Sequence, residues 1–218
     1  MKQYYVKGNN IITTLVPHQA SWVIKKIFNA RTYAPGNSTI VLKHKLSISQ
    51  IYRELRGNFQ KVSWRKMLCN NYAPPKCTFI TWLAIMGRLA TCENLLKVGV
   101  HCDQVCSQCN KENETFEHLF FLCDFSYEVW SAILRWMGFR RNVEAWSVEL
   151  QLLKQHNNNS VSHNVYRMAI SMTVYLLWKE RNARRFSQLL HTPNMIVRHA
   201  LMLIYTRCYS VKKFASVV

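Results

Sequence analysis

The chain has 218 residues, of which 49% are hydrophobic and 12% aromatic, and its formal net charge is +18 at pH 7. That apolar share excludes a disordered chain and suffices for the core of one large domain or two small ones. The charge points to a polyanionic partner, nucleic acid ahead of an anionic membrane, because self-repulsion of this size brings nothing to a merely soluble protein.

The carboxylates are unevenly placed. Only Glu54 and Glu93 precede residue 101, while Asp103, Glu112, Glu114, Glu117 and Asp124 crowd one short stretch. Met1-Lys2-Gln3 leads into no apolar signal core, and no apolar run reaches the length of a membrane span. The expectation is an intracellular protein, nuclear or cytoplasmic, with no membrane partner. Its eight cysteines then read as reduced thiols or metal ligands, with Cys69, Cys77, Cys92 and Cys208 as ordinary buried thiols.

In chain order, residues 1–16 read as a short strand or an extended arm. Pro17 opens a helix whose apolar stripe is Ala20, Val23, Ile24, Ile27 and Phe28, with Lys25, Lys26 and Arg31 off it. Ala34 to Ser38 is a turn. Ser47 and Gln50 form a capping box for a helix that buries Ile48, Ile51, Tyr52 and Leu55. After Pro74-Pro75 comes a segment apolar nearly all round (Phe79, Ile80, Trp82, Leu83, Ile85, Met86), which predicts a central buried helix. Thr91 caps the next helix and Gly99 ends it. A further helix carries Val129, Trp130, Ile133, Leu134 and Met137, with Gly138 as its stop. The polar stretch 151–164 predicts a linker. One more helix runs from about Ser162 to Leu190, striped by Val165, Ala169, Met172, Leu176, Ala183 and Phe186, and the last follows Pro193. The expected class is mainly α.

One spacing carries chemistry: Cys106-x2-Cys109-x8-His118-x4-Cys123. Three thiols and an imidazole in two close pairs are a donor set for tetrahedral Zn²⁺. Thr115 is placed to cap the turn bearing His118, and Leu119 to Leu122 to pack beneath the metal. His101 and Cys102 are rival ligands outside the paired pattern. Four protein ligands leave no open position for water, so a catalytic zinc is disfavoured. Glu117 invites comparison with zinc deaminases, but it precedes its histidine and the H-x-E and P-C-x-x-C order is absent. No nucleophile elbow is visible.

An ordered series of residues surrounds this spacing: Val62 to Arg65, Pro74-Pro75-Lys76-Cys77-Thr78-Phe79, Leu89-Ala90-Thr91, Glu114-Thr115-Phe116-Glu117-His118-Leu119-Phe120, and Val129-Trp130. Over about residues 46–135 the series resembles the zinc-binding domain of plant reverse-transcriptase-like proteins, found at the C-terminal end of LINE-type (non-LTR) retrotransposon polyproteins. Trp178 to Phe186 resembles the W-x-E-R-N-x-R-x-F helix that often follows. Cys77 departs from the pattern, where the family often has a β-branched or aromatic residue. The resemblance implies a small helical domain stapled by a zinc knuckle, with Cys106, Cys109, His118 and Cys123 as ligands and a polymerase-bearing polyprotein as possible partner. The polymerase's Y-x-D-D motif is absent, and Asp103 and Asp124 are the chain's only aspartates. Two-metal phosphoryl transfer needs clustered carboxylates.

The sequence therefore leads to a non-catalytic, zinc-binding accessory module that contacts RNA or DNA. The alternatives are a zinc-stabilised protein-interaction scaffold and a functionless retroelement remnant. Candidate phosphate contacts are Lys61, Arg65, Lys66, Lys76, Arg88, Lys179, Arg181, Arg184 and Arg185. The expected organisation is a basic helical segment over 1–45, the zinc-binding domain over 46–137, a linker over 138–164 and a basic helical hairpin over 165–218.

Overall fold

A computed structural model describes residues 14–16, 18–29, 57, 60, 62, 64–69, 71–155, 160–187, 189–211 and 214. The chain divides into two units, Met1–Gln60 and Lys61–Val218. In the first, α1 (Trp22–Asn29) begins five residues after Pro17, buries Phe28 and exposes Lys25 and Lys26, and Ala20, also buried, lies just before it. The expected turn over 34–38, the capping box at Ser47 and Gln50 and the helix after it lie outside the described residues.

The second unit contains α2 (Arg65–Cys69), α3 (Pro75–Ile85), α4 (Cys92–Lys97), a π-helical turn (His118–Leu122), α5 (Asp124–Trp136), α6 (Trp146–Gln155), α7 (Val161–Phe186) and α8 (Pro193–Ser210). Among the described residues there is no strand, only an isolated antiparallel bridge between Val105 and Asn113. The fold is mainly helical, as expected. No described helix is long and apolar enough to cross a membrane.

Local signals account for most boundaries. Pro75 sits in the first turn of α3, where its fixed φ fits and its missing N–H costs nothing. The Thr91 hydroxyl accepts from the Asn94 amide to cap α4, Ser160 caps α7 through the His163 amide, and Thr192 caps α8 through the Met195 amide. Gly99 (φ +79°) and Gly138 (φ +83°) take the left-handed conformation that ends α4 and α5. Val100 then donates to Leu95 and Phe139 to Leu134, closing both helix ends.

The central helix is α7, which corrects the expectation for the apolar segment at 79–86. That helix, α3, buries only Cys77, Thr81 and Ala84, while Phe79 is 55% exposed. Small side chains on its inner face let it lie close against α7, and the Phe79–Trp82 ring pair is left on the outer side. By contrast α7 buries residues on every side, including Met168, Ile170, Met172, Val174 and Leu177, and packs against α3, α5, α8 and the π-turn. Its predicted stripe was too narrow, and Phe186 at its end is exposed.

The expected linker over 138–164 is also corrected. It contains α6, whose Trp146, Glu149 and Leu153 are buried. Trp146 stacks on Phe121 at a ring separation of 5.7 Å, and Trp130 meets Tyr166 of α7 at 5.8 Å. Aromatic burial of this kind joins the segment after Cys123 to the core of the zinc-binding stretch. The C-terminal helices are therefore part of the same packed body, not a separate hairpin.

Candidate metal centre

The knuckle is built on backbone turns before any metal is considered. Antiparallel pairing brings Cys106 N–H to the Glu112 carbonyl at 2.8 Å, and Asn110 N–H returns to the Cys106 carbonyl at 2.8 Å. Asn110 closes the turn at φ +56°, a conformation its short amide side chain tolerates. The second ligand pair rides on the π-turn, in which Cys123 N–H donates to the His118 carbonyl at 2.7 Å. That i→i+5 bond holds the two ligands of H-x4-C on one side; π-turns are frequent at functional sites. Thr115 caps this turn, accepting from the His118 amide at 3.1 Å. Beneath it Leu119, Phe120 and Phe121 are fully buried, whereas Leu122 turns outward.

The ligand atoms of Cys106, Cys109, His118 and Cys123 all lie within 4.8 Å of one another. Cys106 Sγ and Cys123 Sγ are 3.9 Å apart, and Cys109 Sγ and His118 Nε2 are 3.3 Å apart. A zinc tetrahedron with ordinary Zn–S and Zn–N bonds has edges of about 3.8 Å and about 3.5 Å respectively. The donor set and its spacing therefore fit zinc. The rival Cys102 is directed elsewhere, its thiol facing the Cys92 carbonyl at 3.7 Å.

Charge argues the same way. The hydrogen bond from Cys123 pulls the Cys106 thiol down to about 5 against the effect of burial, helped by the Cys109 and Gln108 amides. The same bond and burial push Cys123 up. Two buried sulfurs this close cannot both ionise unaided, and a divalent cation removes that conflict. The thiols outside the cluster behave as ordinary sulfhydryls: burial raises Cys77 to about 11 and Cys92 to about 12. Cys208 is likewise buried, but Cys69 is exposed, contrary to expectation.

The sequence did not reveal the role of the five crowded carboxylates, each of which has an internal partner. Glu112 accepts from His118 Nδ1 at 3.1 Å, fixing the tautomer that offers Nε2 to a metal. Glu114 is fully buried and receives Arg181 at 2.7 Å, Arg185 at 3.1 Å and the Cys92 amide at 3.0 Å. Glu117 accepts the Trp146 amide at 2.8 Å, so it serves the start of α6. Asp103 accepts from the Val105 amide at 3.0 Å, and Asp124 pairs with Lys111 at 2.6 Å. No spacing rule predicts these partners; only the crowding of acids around the ligands hinted at them.

The nine basic candidates separate accordingly. Arg181, Arg184 and Arg185 face inward, which corrects their assignment as phosphate contacts. Arg181 is 2% exposed and bound to Glu114. Arg184 pairs with Glu180 and donates to the carbonyls of Gln108 and His191. Arg185 donates to Glu114 and to the carbonyls of Asp103 and Val105. All three guanidiniums clamp the knuckle to α7. Arg65, Lys76, Arg88 and Lys179 are exposed. Lys61 and the Lys66 side chain lie outside the described residues.

Residues 46–130 match the family described as zinc-binding in reverse transcriptase, zf-RVT. The matched stretch contains all four clustered ligands and ends inside α5. No curated protein and no solved structure matches the chain.

Proposed function

We propose, for a chain that carries a reverse-transcriptase zinc-binding domain, that it is a non-catalytic accessory module that holds the phosphate backbone of RNA or DNA. In this reading it descends from the tail of a plant LINE-type retrotransposon polyprotein and works inside the cell beside a polymerase-bearing partner. The observation that carries it is the internal use of the knuckle's five acids. Each has a partner within the chain, Glu114 in the core and Asp103, Glu112 and Asp124 at the surface, and the formal excess of +18 falls on the lysines and arginines. Bound zinc supplies a structural cross-link. Cys106, Cys109, His118 and Cys123 hold it, and Glu112 orients the imidazole.

The test is fluorescence anisotropy of the zinc-loaded protein with single-stranded RNA and DNA oligomers across a salt series. The expected result is an affinity that falls steeply and log-linearly with salt, and a flat response overturns the reading. A scaffold role is the second reading, favoured by the exposed Met202, Tyr205 and Tyr209 on α8. An apolar helical peptide that binds there with no salt dependence, while oligomers do not bind, supports it.

A further inference from the structure

Lys179 of α7 and His199 of α8 line a cavity of ≈ 310 Å³, together with Leu176, Ala183, Met195 and Ile196. Its walls are mostly apolar, and its ionisable groups are Lys179, His199, His191 and the single acid Glu180. His191 also lines it, and Lys76, at the start of α3, is near enough for its charge to bear on His199. The Lys76 ammonium lies 5.2 Å from the centre of the Tyr175 ring, one helical turn before Lys179, which fixes where that cation stands. The one acid in the cavity wall, Glu180, is buried and already bound to Arg184 at 2.7 Å and His191 at 2.7 Å. Among the described residues no carboxylate pairs with Lys76, Lys179 or His199.

The two ammonium groups, brought together from α3 and α7, repel one another unless an anion joins them. Burial first, then the charges of Lys179, Lys76 and His191, hold His199 below its ordinary value. We propose that this cleft, lined by Lys179 and His199 and flanked by Lys76 on the Tyr175 ring, seats a backbone phosphodiester of a single-stranded nucleic acid. The inference deepens the accessory-module reading and rests on it. The two ammonium groups supply the charge. The imidazole supplies a directional donor. The apolar walls of Leu176, Met195 and Ile196 accommodate the sugar and keep the local dielectric low, which strengthens the ion contacts.

The test uses the full zinc-loaded chain and a fluorescein-labelled single-stranded oligonucleotide. A Lys76→Gln, Lys179→Gln double variant is compared with an Arg135→Gln, Lys154→Gln double variant, which removes equal charge from exposed positions on α5 and α6. The cleft pair is expected to weaken binding about tenfold or more and to flatten the log–log salt slope by about 1.4, while the control pair changes affinity less than about twofold. Equal losses in both pairs, or none in the cleft pair, overturn the seat and leave the accessory reading standing. Absence of oligonucleotide binding by the unaltered chain overturns both. The His199 ring resonances provide the second readout. They should shift with oligonucleotide, whereas a shift with inorganic phosphate and none with oligonucleotide assigns the cleft to a small phosphate and overturns the proposal.

Discussion

Arg181 and Glu114 stand 67 residues apart in sequence and 2.7 Å apart in space, both sealed from solvent. The pair joins the central helix to the loop that presents the zinc ligands. Removing one partner of a buried pair strands the other charge. Glu114→Ala should therefore cost about 3–5 kcal/mol of stability, read as a lowered midpoint in chemical denaturation of the zinc-saturated protein. A loss below about 1 kcal/mol, the range of exposed pairs, would show that water reaches the pair.

The same residue gives a pH dependence. Burial raises the Glu114 carboxyl, but hydrogen bonds and charge from Arg181, with the Cys92 amide and Arg185, outweigh it and hold the group below its ordinary value. Glu180 is likewise lowered: the His191 amide, Arg184 and the His191 ring outweigh its burial. A depressed folded-state carboxyl contributes stability that is complete above its unfolded value, about 4.3, and is lost as pH falls through the folded value. Stability should decline as pH is lowered below about 4, and the decline should be shallower in Glu114→Gln. Identical acid limbs in the two proteins would remove Glu114 from the explanation. Zinc release by protonation of its ligands is followed separately with a metal indicator.

Glu112 is not one of the four clustered side chains, yet it holds the ring of His118, which is. Glu112→Ala should weaken zinc affinity about 10- to 100-fold, measured by competition with a chelating dye, and leave the stoichiometry at one zinc per chain. Cys106→Ser with Cys109→Ser should abolish binding and lower the melting temperature. Zinc-binding unchanged in Glu112→Ala would mean that the imidazole is oriented by packing alone.

A fragment limited to residues 46–130 should not fold as the full chain does. It lacks Trp146, which stacks on Phe121, and Tyr166, which meets Trp130. It also leaves Glu114 without either arginine. Broad, non-cooperative unfolding and dye-binding apolar surface are expected for the fragment with zinc present. A sharp melting transition would show that the knuckle holds its helices without α7.

The sequence by itself determined the four side chains whose cluster could hold zinc, the caps at Thr91 and Thr115, the stops at Gly99 and Gly138, and the buried face of α5. The caps and stops rest on contacts within a few residues, and the cluster and the helix face on residue spacing along one short stretch, so local pattern encodes them. Only the tertiary structure decided that α7 rather than α3 is central, that 146–155 is helix, and that Arg181, Arg184 and Arg185 turn inward. A basic side chain on a helix looks the same in sequence whether water or a buried carboxylate awaits it. The difference lies in a desolvation cost that only a partner such as Glu114, brought close by folding, can offset.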